Sequence, residues 1–198
     1  MASRQQKALL TKEKILQAAI ELFREKKFNE VTVDDIIKKA TSSKGAFYTH
    51  FKSKHDIFLE RFELIDGHYL NKIINNMTNE TNCKDKLSIF FYEQSSYMEK
   101  HIGVDGVRTI YEAELNREKD SVFLREDRPM YTFLMEIFEE GQKNGEFRTD
   151  ITTKKMLSIS NRMMHGFFYD WSIQDGSFSL VEEQEILFNM MIQDFMAK

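Results

Sequence analysis

An all-α fold of about nine helices is what this 198-residue sequence predicts. One proline and eight glycines leave few breaks in a chain of this length, which favours long helices over a many-stranded β fold. Apolar residues recur three and four positions apart through most of the sequence, the repeat of one helix face. Hydroxyl residues stand at the starts of several of these stripes, where a helix needs acceptors for its free amides.

Taken in order, residues 1–10 are polar and read as frayed. Thr11 reads as the cap of a first helix with Ile15, Leu16, Ala19, Ile20 and Phe23 inward. Thr32 opens a short second helix in a capping-box pattern, with Asp35 where Glu or Gln is usual. After a tight turn at Thr41-Ser42, Ser43 caps a third helix, Lys44 to about His50. Ser53 then opens a long helix to about Asn75, striped by Phe58, Phe62, Ile65, Tyr69 and Ile73. Asn75 to Cys83 reads as a polar linker. Further helices are expected from Leu87 to His101 and over about 106–119, 129–143, 153–174 and 180–197. Gly145 reads as a C-cap, and Ser179 with Glu182 as a full capping box.

Charge divides the chain. Residues 1–54 hold twelve Lys/Arg against six Asp/Glu, whereas the remainder holds sixteen against twenty-six. A basic head on an acidic body suggests that the head meets a polyanion and the body does not. A domain boundary is therefore expected between 1–54 and 55–198. The single cysteine, Cys83, excludes an intrachain disulfide and a multi-cysteine metal site, and points to a reduced, cytoplasmic setting. No stretch reads as a signal peptide or a membrane span.

Two short helices joined by a tight turn between longer ones form a helix-turn-helix. The second, Lys44–His50, is too polar to be core on all sides. Gly45 removes a side chain near its N-terminus, and its first amides and dipole favour phosphate. Lys54 puts a cation in the first turn of the next helix, where an acid would suit the dipole better, and so suggests a phosphate partner.

From Thr11 to Phe58 the chain resembles the DNA-binding domain of the TetR family of bacterial regulators. The run Ser43-Lys44-Gly45-Ala46-Phe47-Tyr48-Thr49-His50-Phe51-Lys52-Ser53-Lys54 carries most of the likeness, with Ile15, Leu16, Ala19, Leu22, Phe23, Phe28 and Thr32 to Ile36 before it. A looser likeness extends to Glu140-Gly141-Gln142 and Gly145-Glu146-Phe147. The resemblance implies phosphate contacts from Thr32, Ser43, Tyr48, His50 and Lys54. It implies base contacts from Lys44, Gly45, Ala46 and Thr49, with Lys44 a donor to guanine acceptors. Phe47 and Phe51 read as core, and His50 has a second reading as a buried structural histidine. The chain departs from the family at Lys27, where Gly is usual, and at Thr41-Ser42, where Gly-Val is usual. Thr41 must therefore adopt a turn conformation that Gly takes more easily.

Downstream, aromatic and methionine stripes read as core interrupted by polar groups, the pattern of a mostly apolar ligand site. The expected effector pocket comprises Phe90, Gln94, Tyr97, Arg108, Tyr111, Leu134, Asn161, His165 and Phe168. Glu112 and Glu114 would favour a cationic ligand and Arg108 an anionic one, so no ligand charge is predicted. The resemblance implies that the last two helices pair with a second copy, with Met163, Phe167, Phe188, Met191 and Phe195 as contacts; the alternative is an intrachain core. The expected function is a homodimeric regulator of a near-palindromic operator, a repressor released by a small apolar or amphipathic molecule, with no cofactor and no metal. An enzyme is disfavoured: the five histidines are scattered, and no glycine-rich phosphate loop or Gly-x-Ser-x-Gly occurs. A helical carrier that has lost DNA binding is disfavoured by the basic head.

Overall fold

The structure, a computed structural model, describes residues 4–26, 30–57, 60, 70, 73–75, 77, 81–115, 121–125 and 127–197. Among these, eight α-helices follow one another: α1 (Arg4–Glu25), α2 (Val33–Lys39), α3 (Lys44–His50), α4 (Cys83–Tyr97), α5 (Gly103–Leu115), α6 (Pro129–Lys143), α7 (Thr153–Ile173) and α8 (Leu180–Phe195). A π-helical turn, Met98–Ile102, joins α4 to α5, and a 3-10 turn covers Val122–Leu124. The one β-type pairing among the described residues is an isolated antiparallel bridge between Phe147 and Met196. The all-α expectation holds. The long helix expected from Ser53 falls largely outside the described residues, which are helical at 54–57 and 73–75. Lys27, Phe28, Phe58, Phe62, Ile65 and Tyr69 also lie outside them.

Two apolar cores organise these helices. In the head, Ile15, Ala19 and Leu22 of α1 close over Val31, Ile36, Phe47, Phe51 and Ile57. In the body, α4 packs on α6 and α8, while α7 packs on α5 and α6. Phe90, Phe91, Leu134, Phe138, Met164, Phe168, Trp171 and Phe188 fill the space between them. Phe91 and Phe188 stack with ring centroids 4.2 Å apart.

Local chemistry sets the helix ends. Thr32 and Asp35 form a reciprocal capping box: Asp35 N–H donates to Thr32 Oγ1 at 3.1 Å, and Thr32 N–H donates to Asp35 Oδ2 at 2.9 Å. The Thr32 hydroxyl also donates to Asp35 Oδ2 at 2.6 Å, and this bond, with that from Thr32 N–H, holds the exposed Asp35 carboxyl below the ordinary carboxylate range. Ser43 caps α3 by accepting from Ala46 N–H at 3.1 Å.

Three sequence expectations need correction. Thr11 lies inside α1, its hydroxyl donating to Lys7 O, because α1 begins at Arg4. Cys83 is not linker but the first residue of α4, capped by Asn82 and fully buried. Burial, with Glu146 beside it, pushes its thiol up to about 12, so the sulfur is an inert apolar filler. At α8 the Ser179 cap bond to Glu182 N–H exists, but the acid completing it is Glu99, which accepts from Ser179 Oγ and Val181 N–H.

α2 ends in a Schellman turn: Ser42 N–H donates to Ile37 O and Thr41 N–H to Lys38 O. That motif places its penultimate residue in the left-handed region, and Thr41 sits there with φ 50°. A β-branched side chain in that region costs about 1–2 kcal/mol. Thr41→Gly is expected to raise stability by about 0.5–1 kcal/mol after the greater unfolded-state entropy of glycine is subtracted. Chemical denaturation checks this, and a loss of stability would show that the turn tolerates threonine without strain.

Candidate functional site

The head presents α3 outward. Phe47 and Phe51 are buried, and they turn Lys44, Gly45, Tyr48 and Thr49 to solvent, with Ala46 and His50 at the margin. Tyr48 is 53% exposed, an unusual position for a tyrosine in a helix that has a core to hand. Its ring stands edge-on to Phe47, 5.3 Å between centroids, which fixes its direction. Thr49 is exposed and donates its hydroxyl to Gly45 O at 2.8 Å. Lys44 Nζ lies 2.9 Å from Asp34 Oδ1, and both side chains are mostly exposed. Such a pair is worth little in water, so it holds the Lys44 ammonium only weakly. His50 is half-buried with its ring edge toward Phe51. Lys54 is partly buried, and its ammonium donates to Val31 O at 2.9 Å, next to the Thr32 cap. That bond gathers Thr32 and Lys54 at the entrance of α2.

The body contains a cavity of about 1180 Å³ bounded by α5, α6, α7 and the 121–125 segment. Tyr111, Phe123, Leu124, Met135 and Leu157 form much of its apolar wall; Glu136, Glu139, Lys154 and Arg162 also line it and are exposed. Deeper, Tyr111 donates its hydroxyl to His165 O at 2.9 Å, while Ser121 bonds the buried Glu114. Asn161 Oδ1 is buried there without a partner. Burial, reinforced by Arg128, lowers the His165 pKa to about 4, so the imidazole is neutral near pH 7. The Arg128 guanidinium is buried over the rings of Tyr131 and Phe123, 4.8 and 5.8 Å from their centroids.

Of the nine expected pocket residues, Tyr111, Asn161 and His165 line this cavity. Gln94 and Phe168 line a small chamber behind it, to which Tyr111 and His165 also belong. The other four lie elsewhere. Phe90 and Leu134 are solid core. Tyr97 stacks near His101. Arg108 pairs with Asp175 at the surface, a partner 67 residues away that no local pattern discloses. Phe123, Arg128, Lys154 and Arg162 were missed; the first two sit in an irregular segment that carries no periodicity.

Consecutive residues of α5 look in two directions. Tyr111 faces the cavity, while the Glu112 carboxylate acts on Lys54 and His55 at the junction with the head. Burial pulls the Lys54 ammonium below its ordinary value and Glu112 opposes that pull.

The profile described as "Bacterial regulatory proteins, tetR family" matches residues 15–60, and the "YsiA-like protein, C-terminal region" profile matches residues 62–194. The chain belongs to the TetR family. As a TetR-family protein it is a helix-turn-helix transcriptional regulator rather than an enzyme. It is 30% identical over 145 residues to the HTH-type transcriptional regulator YvdT of Bacillus subtilis, covering 72% of each chain. Its fold is similar to that of Thermus thermophilus FadR, a transcriptional repressor solved with lauroyl-CoA. The TM-score is 0.76 and the identity 19%, over 94% of this chain and 96% of that one. It is also similar to Bacillus subtilis FadR solved with stearoyl-CoA. There the TM-score is 0.67 and the identity 19%, over 92% and 98% of the two chains. In this TetR-family chain no helix among the described residues is long and apolar enough to cross a membrane. Among them no group of three or more His, Cys, Asp or Glu is placed to hold a metal ion.

Three of the five residues expected at a dimer contact need correction. Phe188, Met191 and Phe195 point into the protomer's own core, against Phe91, Ser160 and Phe138 respectively. Met163 and Phe167 are half-buried, and the exposed apolar positions of α8 are Ile186 and Met190, one turn apart at 66% and 70% exposure.

Proposed function

We propose that the chain is a homodimeric repressor that leaves a near-palindromic operator when an amphipathic, acyl-bearing molecule enters the body cavity. The cavity carries the reading. It is large enough for an extended ligand, its wall is mainly apolar, and charged groups on α6 and α7 line it where it meets solvent. Acyl thioesters bound in the two similar FadR structures supply the ligand class. The head, residues 1–54, holds the DNA, with Thr32, Ser43, Tyr48, His50 and Lys54 on phosphates and Lys44, Gly45, Ala46 and Thr49 on bases. The body, residues 55–198, dimerises through Met163 and Phe167 of α7 and through Ile186 and Met190 of α8, which two-fold pairing would remove from water. Two recognition helices held by such a dimer read half-sites about one helical turn, or a multiple, apart.

The test uses a duplex selected from a random library by the full-length protein. Lauroyl-CoA is titrated calorimetrically into the protein with and without that duplex. Linkage requires that a ligand weakening DNA binding by a factor of roughly 5–150 be weakened by DNA to the same extent. Equal affinities in the two titrations would overturn the coupling. In a gel-shift titration of the selected duplex Lys44→Ala and Tyr48→Ala are each expected to cost about 1–3 kcal/mol, and Lys44→Ala alone to relax base preference. Unchanged affinity in both would remove α3 from the interface.

A further inference from the structure

Behind the effector cavity lies a second, much smaller space, and the two share Tyr111, Phe123 and His165. These three rings form the partition: Phe123 and His165 centroids are 4.3 Å apart, and Tyr111 and Phe123 centroids 5.7 Å. Beyond them Met98, Met130, Met164, Ile110 and Phe168 enclose a volume of about 20 Å³, room for about one water molecule or one hydroxyl. Its mainly apolar lining is broken by Gln94 and by the buried Arg128. The Gln94 side chain is more than nine-tenths buried, its amide nitrogen lies 3.3 Å from Met130 Sδ, and its Oε1 has no partner. A buried amide oxygen left unpaired is costly, and a thioether is a weak acceptor for the other half of the amide. The chamber is thus a mainly apolar end-stop with Arg128 in its wall and one unused acceptor, Gln94 Oε1, in it. Its three methionines are the side chains best able to move aside for a chain end.

We propose that this chamber receives the far end of the effector and that this end bears a hydroxyl, whose proton Gln94 Oε1 accepts. This rests on the reading of the larger cavity as the effector site and narrows the ligand class to hydroxyl-tipped hydrocarbon chains. The polar head stays at the charged rim, the chain crosses the large cavity, and its tip passes between the three rings. A plain methyl end would displace whatever solvates Gln94 and offer nothing in return. The chamber therefore selects by chemistry at the tip as well as by length.

The experiment compares ω-hydroxy fatty acids of eight to sixteen carbons with the plain acids of equal length, by calorimetry on the full chain. At the length that reaches the chamber, the hydroxy acid is expected to bind about tenfold more tightly, the worth of one buried hydrogen bond that the plain acid leaves unmade. Gln94→Leu, of similar volume, is expected to reverse the order. Equal affinities for the two series at every length in the wild-type protein would overturn the chamber assignment and leave the larger cavity as the effector site. Failure of either series to bind at any length would overturn both. The wild-type comparison decides the matter even if the Leu variant does not fold.

Discussion

Gly141→Ala is expected to lower the stability of the protein by about 3 kcal/mol, at the upper end of overpacking costs in a filled core. A Cβ at this position of α6 would stand 2.1 Å from Phe147 Cδ2, 2.4 Å from Cε2 and 2.9 Å from Cγ. Phe147 cannot swing aside, because it is fully buried with its ring near Phe138, whose other neighbour is Phe195. Its backbone is also held: Phe147 N–H donates to Gly141 O, and the flanking residues bond the end of α8 through Arg148 N–H to Phe195 O and Ala197 N–H to Glu146 O. One methyl therefore loads the junction where the first turn after α6 meets the C-terminal segment. Urea denaturation measures the loss. Phe147→Leu should relieve it, so that the second substitution costs less in the alanine background than in the wild type. A Gly141→Ala variant as stable as the wild type would mean that the ring packs elsewhere.

The second large effect is acid lability. The folded-state pKa of His165 is lowered to about 4, first by burial and then by the charge of Arg128. The unfolded chain returns it to about 6.5. Between these values the unfolded state binds a proton that the folded state refuses, so stability falls as pH drops through that window and levels off below it. The neutral histidine's contribution, fully present above pH 6.5, amounts to about 3 kcal/mol lost by pH 4. Denaturation at a series of pH values should show this decline, and His165→Gln should flatten it. A wild-type profile without slope between pH 6.5 and 4.5 would place the imidazole in contact with water.

The parts of this molecule governed by near neighbours were readable from the chain. Thr32 and Asp35 make their reciprocal cap because the geometry needs three residues and nothing else. Thr41 takes its positive φ because the Schellman turn after α2 requires it, whichever residue occupies the position. Phe47 and Phe51 are buried because a two-turn helix with that spacing has one apolar side. What depended on distant partners was not readable. Arg108 was expected in a pocket, yet Asp175 lies across a helix pair and claims it. Phe188, Met191 and Phe195 read equally well as interface or core, since α8 is apolar on more than one side. Only the arrival of α4 and α7 against it decides which stripe is buried. The cavity owes Phe123, and the chamber behind it Arg128, to a segment without repeat, where sequence periodicity has nothing to say.

Tyr111 and Glu112 sit on successive positions of α5, about 100° apart around the helix and separated by about 1.5 Å along it. A slide of α5 along its axis would carry both side chains the same way. A roll about the axis does something different: at a radius of about 5–6 Å, 20° of rotation moves each side chain by about 2 Å, in directions set by its own face. The tyrosine would be pushed against its cavity neighbours while the carboxylate swept across Lys54 and His55. Torsion of α5 would thus gear cavity and head together where translation would not. Any occupant that turns α5, whatever its chemistry, re-registers the charge beneath the DNA-reading unit.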